Sequence, residues 1–174
     1  MRLPAELSRV AASWIDPLAA ALASSPAFRH HALRPAERAD EDAMYALHRD
    51  AMRAHVDAIW GWNEAWQRGH FAAYYAPGRN AIIVRCGTPA QDIGRISLTR
   101  HWRKIFLRDI EIVAHARNHG LGSAIVAAVQ QISRAEGRRV ELLVLHRNPA
   151  QRLYARLGFK VVADDGARLR MRAE

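Results

Sequence analysis

Ile110-Glu111-Ile112-Val113-Ala114-His115-Ala116-Arg117-Asn118-His119-Gly120-Leu121-Gly122-Ser123 is the stretch that sets the architecture of this chain. An apolar strand feeds a turn with two glycines, and a long helix starts at once. Free backbone N–H groups and the positive end of the helix dipole converge at such a point. Glycine removes the side chains that would hold an anion at a distance, so the helix start is a natural cradle for a diphosphate. Two familiar phosphate loops are excluded. No lysine follows Gly122, as G-x-x-x-x-G-K-[ST] requires, and the dinucleotide pattern G-x-G-x-x-G also fails. What stands is R-x-x-G-x-G after a strand.

Downstream, residues 120–136 predict a helix whose stripe is Leu121, Ala124, Ile125, Ala128, Val129 and Ile132, closed by Gly137. Residues 140–145 form a near-continuous apolar run, as in a strand covered on both faces. Pro149 suits the first turn of a further helix that stops at Gly158. Residues 159–163 and 167–171 predict two last strands around the Asp164-Asp165-Gly166 turn.

Upstream, strands are expected at 81–84, 93–98 and 105–113. In the last, strict alternation puts Leu107, Asp109, Glu111 and Val113 on one face, with Arg108, Ile110 and Ile112 on the other. Two front helices are expected. One opens near Asp40 with Met44, Leu47, Ala51 and Met52 on its apolar face. The other covers 57–71 and carries Trp60, Trp62 and Trp66, which packing between the front helices would explain. Residues 1–29 read as a helical extension with the stripe Leu7, Val10, Trp14, Leu18 and Leu22, kinked or split at Pro17. The extension would dock on the domain of residues 30–174, with contact to a second subunit in a homodimer as the alternative. The whole order is that of a mixed α/β sheet without repeats or a linker.

At 174 residues the chain fits one domain. No apolar run approaches the ~20 residues of a membrane-spanning helix, and Glu6, Arg9 and Asp16 interrupt any secretory core, so a cytoplasmic protein is expected. The single cysteine, Cys86, excludes an internal disulfide and reads as a buried strand end rather than a nucleophile. The net charge of +9 comes from 26 basic against 17 acidic residues, and only Lys104 and Lys160 are lysines. The arginines are scattered without a basic tail or stripe, so nucleic-acid binding is the weaker reading. His115 and His119 are four apart but lie in the turn, and no cysteine or carboxylate cluster supports them, so no metal is expected.

Asn148-Pro149-Ala150-Gln151-Arg152-Leu153-Tyr154-Ala155-Arg156-Leu157-Gly158-Phe159 closely resembles the Asn/Ala/Leu-Tyr/Gly-Phe segment of the GNAT-superfamily N-acetyltransferases. Arg117, Gly120 and Gly122 match that family's acyl-CoA motif, [Q/R]-x-x-G-x-[G/A]. One helix and one strand separate the two segments, as in the family. The likeness extends more loosely over 30–172, and Trp60-Gly61-Trp62…Trp66 looks like one branch of bacterial members. One departure stands out. In many members the asparagine lies seven residues before the tyrosine, whereas Asn148 lies six before Tyr154.

The resemblance implies a GNAT-like fold and acetyl-CoA as cosubstrate, with an amine acceptor. The pantetheine arm would pair with the backbone of Ile110, Glu111 and Ile112. The diphosphate would lie over Asn118, His119, Gly120, Leu121, Gly122 and Ser123, with Arg117 adding charge and Asn148 a further contact. The Ile112 N–H would support the oxyanion. Tyr154 would protonate the departing thiolate, or else be a half-buried packing residue. Glu111, or Asp109 through water, would take the amine's proton; a salt bridge from Glu111 to Arg108 or Arg95 is the alternative. Trp60 or Trp62 would touch the acceptor. The rival is a non-catalytic acyl-CoA-binding module.

Overall fold

Apolar runs with β-branched residues make the strands, and a computed structural model describes them within residues 14–174. In chain order they are β1 (His31–Pro35), β2 (Asn80–Arg85), β3 (Gln91–Arg100), β4 (Lys104–Ile112), β5 (Arg139–Leu145), β6 (Lys160–Asp164) and β7 (Arg168–Ala173). They form one sheet ordered β1-β2-β3-β4-β5-β7-β6. Only β4 and β5 pair in parallel; every other neighbour is antiparallel. The helices are α1 (Ile15–Leu22), α2 (Glu41–Trp60), α3 (Glu64–Tyr74), α4 (Leu121–Ala135) and α5 (Ala150–Arg156). The mixed α/β architecture expected from the sequence is therefore present.

Each face of the sheet has its own apolar cluster. On one face α1 and α4 cover the strands: Leu18 and Leu22 meet Ile125, Val126 and Val129 above Ile96, Leu107 and Leu142. On the other, α2 and α3 bring Met44, Tyr45, Leu47 and Phe71 down on Ile82. Full burial of Leu18 and Leu22 contributes about 1.5–3 kcal/mol each. Thus α1 is built into the principal core. Leu7 and Val10 of the expected stripe lie outside the described residues. The residues before Trp14, on which the expected kink or split turns, lie outside the described ones too. The described helix begins at Ile15, which puts Pro17 in its first turn. No intrahelical partner is needed for an N–H at that position.

Three other expectations change. The front helices divide at residues 61–63, not near Asp57: Gly61 has φ 76° and Asn63 caps α3 by accepting the Trp66 N–H. Trp60 and Trp66 are 57% and 60% exposed, so they do not pack the front helices; only Trp62 is half-buried. Cys86 is exposed just past the end of β2, not buried.

The faces of β4 also differ from strict alternation. Ser97 pairs with Asp109 and Leu98 with Leu107, which leaves Arg108 as the extra residue of a β-bulge. Beyond it the parity flips. Ile110 and Ile112 join Leu107 on the face under α4, while Asp109 and Glu111 turn to the face under α2 and α3. One inserted residue thereby sends two carboxylates to one side and two isoleucines to the other.

Gly94 sits opposite this segment, paired with Ile112. A Cβ there would lie 2.5 Å from the Glu111 carbonyl oxygen and 3.3 Å from Ile112 Cα. Both are backbone atoms and cannot swing aside. Gly94→Ala should therefore force β3 and β4 apart and cost about 1–3 kcal/mol, the usual range for overpacking. Urea unfolding would measure the cost, and an unchanged midpoint would show that the strands give way freely.

Candidate active site

The site starts from a parting of strands. β4 pairs with β5 from Lys104–Arg139 to Leu107–Leu142, then continues to Ile112 without it. The Val113 N–H donates to the Ile93 carbonyl on the β3 side. Alternation along the strand then turns the N–H and C=O groups of Ile110 and Ile112 the other way, into the gap. An extended chain could add to this edge by main-chain hydrogen bonds.

The glycine turn lies at the end of the same strand. After a 3-10 turn (Ala114–Ala116), Asn118 and Gly120 take left-handed conformations, φ 64° and 84°, and α4 starts at Leu121. No side chain among the described residues caps it. The first-turn N–H groups of Leu121, Gly122 and Ser123 therefore have no intrahelical acceptor. Asn118, His119 and Gly120 are exposed. A Cβ on Gly122 would stand 3.4 Å from Leu153 Cδ2 of α5, an ordinary contact distance. Arg117 curls back, and its Nε donates to the Ile112 carbonyl at 2.6 Å. It ties the turn to β4 as well as bringing charge.

On α5, the Asn148 carboxamide oxygen accepts the Ala150 N–H at 2.9 Å, holding the helix start. That oxygen has a local structural task, which leaves the amide NH₂ for any ligand. Tyr154 is half-buried against Phe159, with ring centroids 5.7 Å apart. Its hydroxyl makes no hydrogen bond among the described residues. Burial, and then the Asp109 charge, push its pKa up to about 12. The group therefore stays protonated through the physiological range and is available as a donor.

Across the sheet from α4 lies a buried charge cluster. Arg95 Nε donates to Glu111 Oε2 at 2.7 Å, Arg95 NH1 to Asn80 Oδ1 at 3.0 Å, and Arg95 NH2 lies 3.2 Å from Asp109 Oδ2. Its guanidinium stands over the Phe71 ring, 5.1 Å from the centroid. Of the two alternatives for Glu111, the structure contains the ion pair, with Arg95 and not Arg108. The other oxygen, Oε1, is 2.7 Å from His48 Nδ1. Burial alone would raise the Glu111 pKa, but the Arg95 charge and the His48 hydrogen bond outweigh it and hold the carboxylate well below its ordinary range. Glu111 is thus buried and fully engaged, a poor direct acceptor for a substrate proton.

Trp62 Nε1 donates to Glu64 Oε2, and its ring lies 6.4 Å from that of His48. Trp60 projects to solvent. The sequence pattern missed His48, and offered Arg95 only as one of two possible partners of Glu111. An arginine inside the apolar strand 93–98, with two carboxylates on the neighbouring strand, was the available signal for Arg95. Nothing local marks His48, whose partner lies 63 residues away.

Residues 77–161 match the family model described as the acetyltransferase (GNAT) domain. No curated protein matches the chain in sequence. Among solved structures, the chain is similar to the PaiA N-acetyltransferase of Thermoplasma acidophilum in complex with coenzyme A. That match has a TM-score of 0.65 at 16% identity, covering 83% of this chain and 98% of the other. Ard1 from Thermoplasma volcanium gives a TM-score of 0.57 at 18% identity, over 83% and 97% of the two chains. Naa50 of Arabidopsis thaliana, in complex with the bisubstrate analogue CoA-Ac-MVNAL, gives 0.55 at 12% identity, over 83% and 98%. These likenesses establish a common fold. The matched residues span the parted strands, the glycine turn and Tyr154, so residues 77–161 of this chain are an acetyltransferase domain of the GNAT type.

Proposed function

We propose that the protein transfers an acetyl group from acetyl-CoA to a primary amine of a small molecule, peptide or protein, by direct attack in a ternary complex. The observation that carries this reading is the edge of β4 left without β5 and running into a helix start without a side-chain cap among the described residues. The pantetheine arm would pair along 110–112 and the diphosphate would rest on the amides of 118–123, with Arg117 and the Asn148 amide in reach. The amine nitrogen attacks the thioester carbon, and the Ile112 N–H stabilises the oxyanion. The C–S bond then breaks, the amine's proton leaves to a base, and Tyr154 gives its proton to the CoA thiolate. Trp62, beside the cleft under α2 and α3, and Trp60 at the end of α2 would meet the acceptor.

Residues 30–174 form the transferase domain in this reading, and 1–29 an extension whose described helix is part of its core. A cytoplasmic location belongs to the same proposal; among the described residues, no helix is long and apolar enough to cross a membrane.

Calorimetry with CoA, followed by thiol release with acetyl-CoA and a panel of amines and peptides, tests the proposal. Gly122→Asp should weaken CoA binding about tenfold to a hundredfold, by setting a carboxylate against the diphosphate. Its Cβ meets Leu153 only at ordinary contact distance, so the fold should survive. CoA binding without any amine-dependent thiol release would favour a non-catalytic binding module. No CoA binding at all would remove the proposal.

A further inference from the structure

We propose that His48 is the group that removes the proton from the acceptor amine, held in position by Glu111 and Arg95. The inference rests on the acetyl-transfer reading above and assigns the base that Glu111 is too enclosed to be. A carboxylate only accepts hydrogen bonds, so the 2.7 Å contact to Glu111 Oε1 makes Nδ1 of a neutral His48 the donor. The lone pair is then on Nε2. This nitrogen makes no hydrogen bond to the described residues. The one buried, unpartnered side-chain nitrogen or oxygen among them is His31 Nδ1. Nε2 of His48 is therefore accessible.

What it faces is a cleft of about 470 Å³, open to solvent, between the sheet and α3. Asp109 and Arg108 line the same cleft. His48 thus opens onto β4 where that strand has lost β5 and where the thioester would lie. The imidazole is fixed on its remaining sides, with Phe71 and Trp62 at 5.3 and 6.4 Å between ring centroids.

The contact to Glu111 favours the same role, since that carboxylate stays beside the ring when the reaction puts a proton on it. The titratable and charged groups around the ring and the cleft are Glu111, Asp109 and Arg108 from β4, Arg95 from β3, His70 and Tyr74 from α3, and Tyr75 just past its end. In the step itself the amine's N–H bond breaks as its C–N bond forms. The proton passes to His48 Nε2, and from there to solvent once the product leaves.

His48→Gln separates this role from mere packing, because the glutamine amide can still donate to Glu111 but cannot take a proton. kcat/KM should fall about a hundredfold to a thousandfold while CoA affinity stays unchanged. The limb that the base gives to the wild-type pH profile of kcat/KM should vanish. The deficit should shrink as pH approaches the acceptor's own pKa, where free amine becomes abundant. Wild-type rates and pH profile in His48→Gln would overturn the proposal. Histidine ¹⁵N NMR of the wild-type protein gives a readout that needs no stable variant: the Nδ1–H form supports the assignment, and the Nε2–H form overturns it. Loss of CoA binding or of thiol release in the wild type would instead strike the acetyl-transfer reading, so the two failures are distinguishable.

Discussion

Arg95→Met should destabilise the fold by about 3–5 kcal/mol, because it leaves Glu111 as a buried carboxylate without its ion-pair partner. For a chain of this size that is a fall in Tm of about 6–20 °C. Methionine fills much of the volume over Phe71, so the loss is electrostatic more than steric. The pH dependence carries the diagnosis. In the native protein the Glu111 pKa lies below its unfolded value, so its contribution to stability is present above that value and is lost as acid approaches the folded one. Without Arg95, burial dominates and the folded pKa rises above the unfolded one. Stability then falls as pH rises through that window, and the deficit of Arg95→Met should be smaller near pH 4–5 than at pH 7. Arg95→Met with Glu111→Leu should recover most of the loss. A deficit independent of pH, or no gain in the double variant, would mean that the pair is not what holds this face together.

Tyr154→Phe should lower kcat about a hundredfold to a thousandfold, the worth of a positioned general acid, with CoA affinity and stability close to wild type. The ring packs on Phe159, and phenylalanine keeps that contact. The hydroxyl has no protein partner to lose among the described residues. With its pKa pushed up to about 12 by burial, Tyr154 stays protonated around neutral pH and gives the rate no limb there. Single-turnover measurement of thiol release isolates the chemical step. An unchanged rate there would return Tyr154 to a packing role.

The two acid–base assignments divide along the sheet. Tyr154 stands on α5, and His48 reaches β4 from α2, on the face where the bulge at Arg108 has sent Asp109 and Glu111. In the proposed reaction a donor and an acceptor on different elements would work without exchanging protons with each other.

How much of this was legible in the residues differs from one element to the next. The glycine turn, the α4 stripe and the Asn148–Phe159 segment were readable because their signals are local: backbone conformation, helical period and a short spacing. Strand 140–145 was readable because burial on both faces erases alternation. The faces of β4 were not, since a β-bulge depends on the register with β3, and alternation carries no record of one inserted residue. Trp60 and Trp66 misled for a related reason, since an aromatic residue suits a core and a cleft rim equally well.

The sequence by itself determined the class of fold, the place of the helix start that can hold a diphosphate, and the tyrosine beside it, all within 110–159. Only the tertiary structure decided that Glu111 is spent on Arg95, that α1 belongs to the core, and that His48 closes on a strand 63 residues away. The reason is physical. Turn and helix preferences act over a few neighbouring residues, whereas the state of a buried charge depends on whichever partners the whole sheet and its covering helices bring to it.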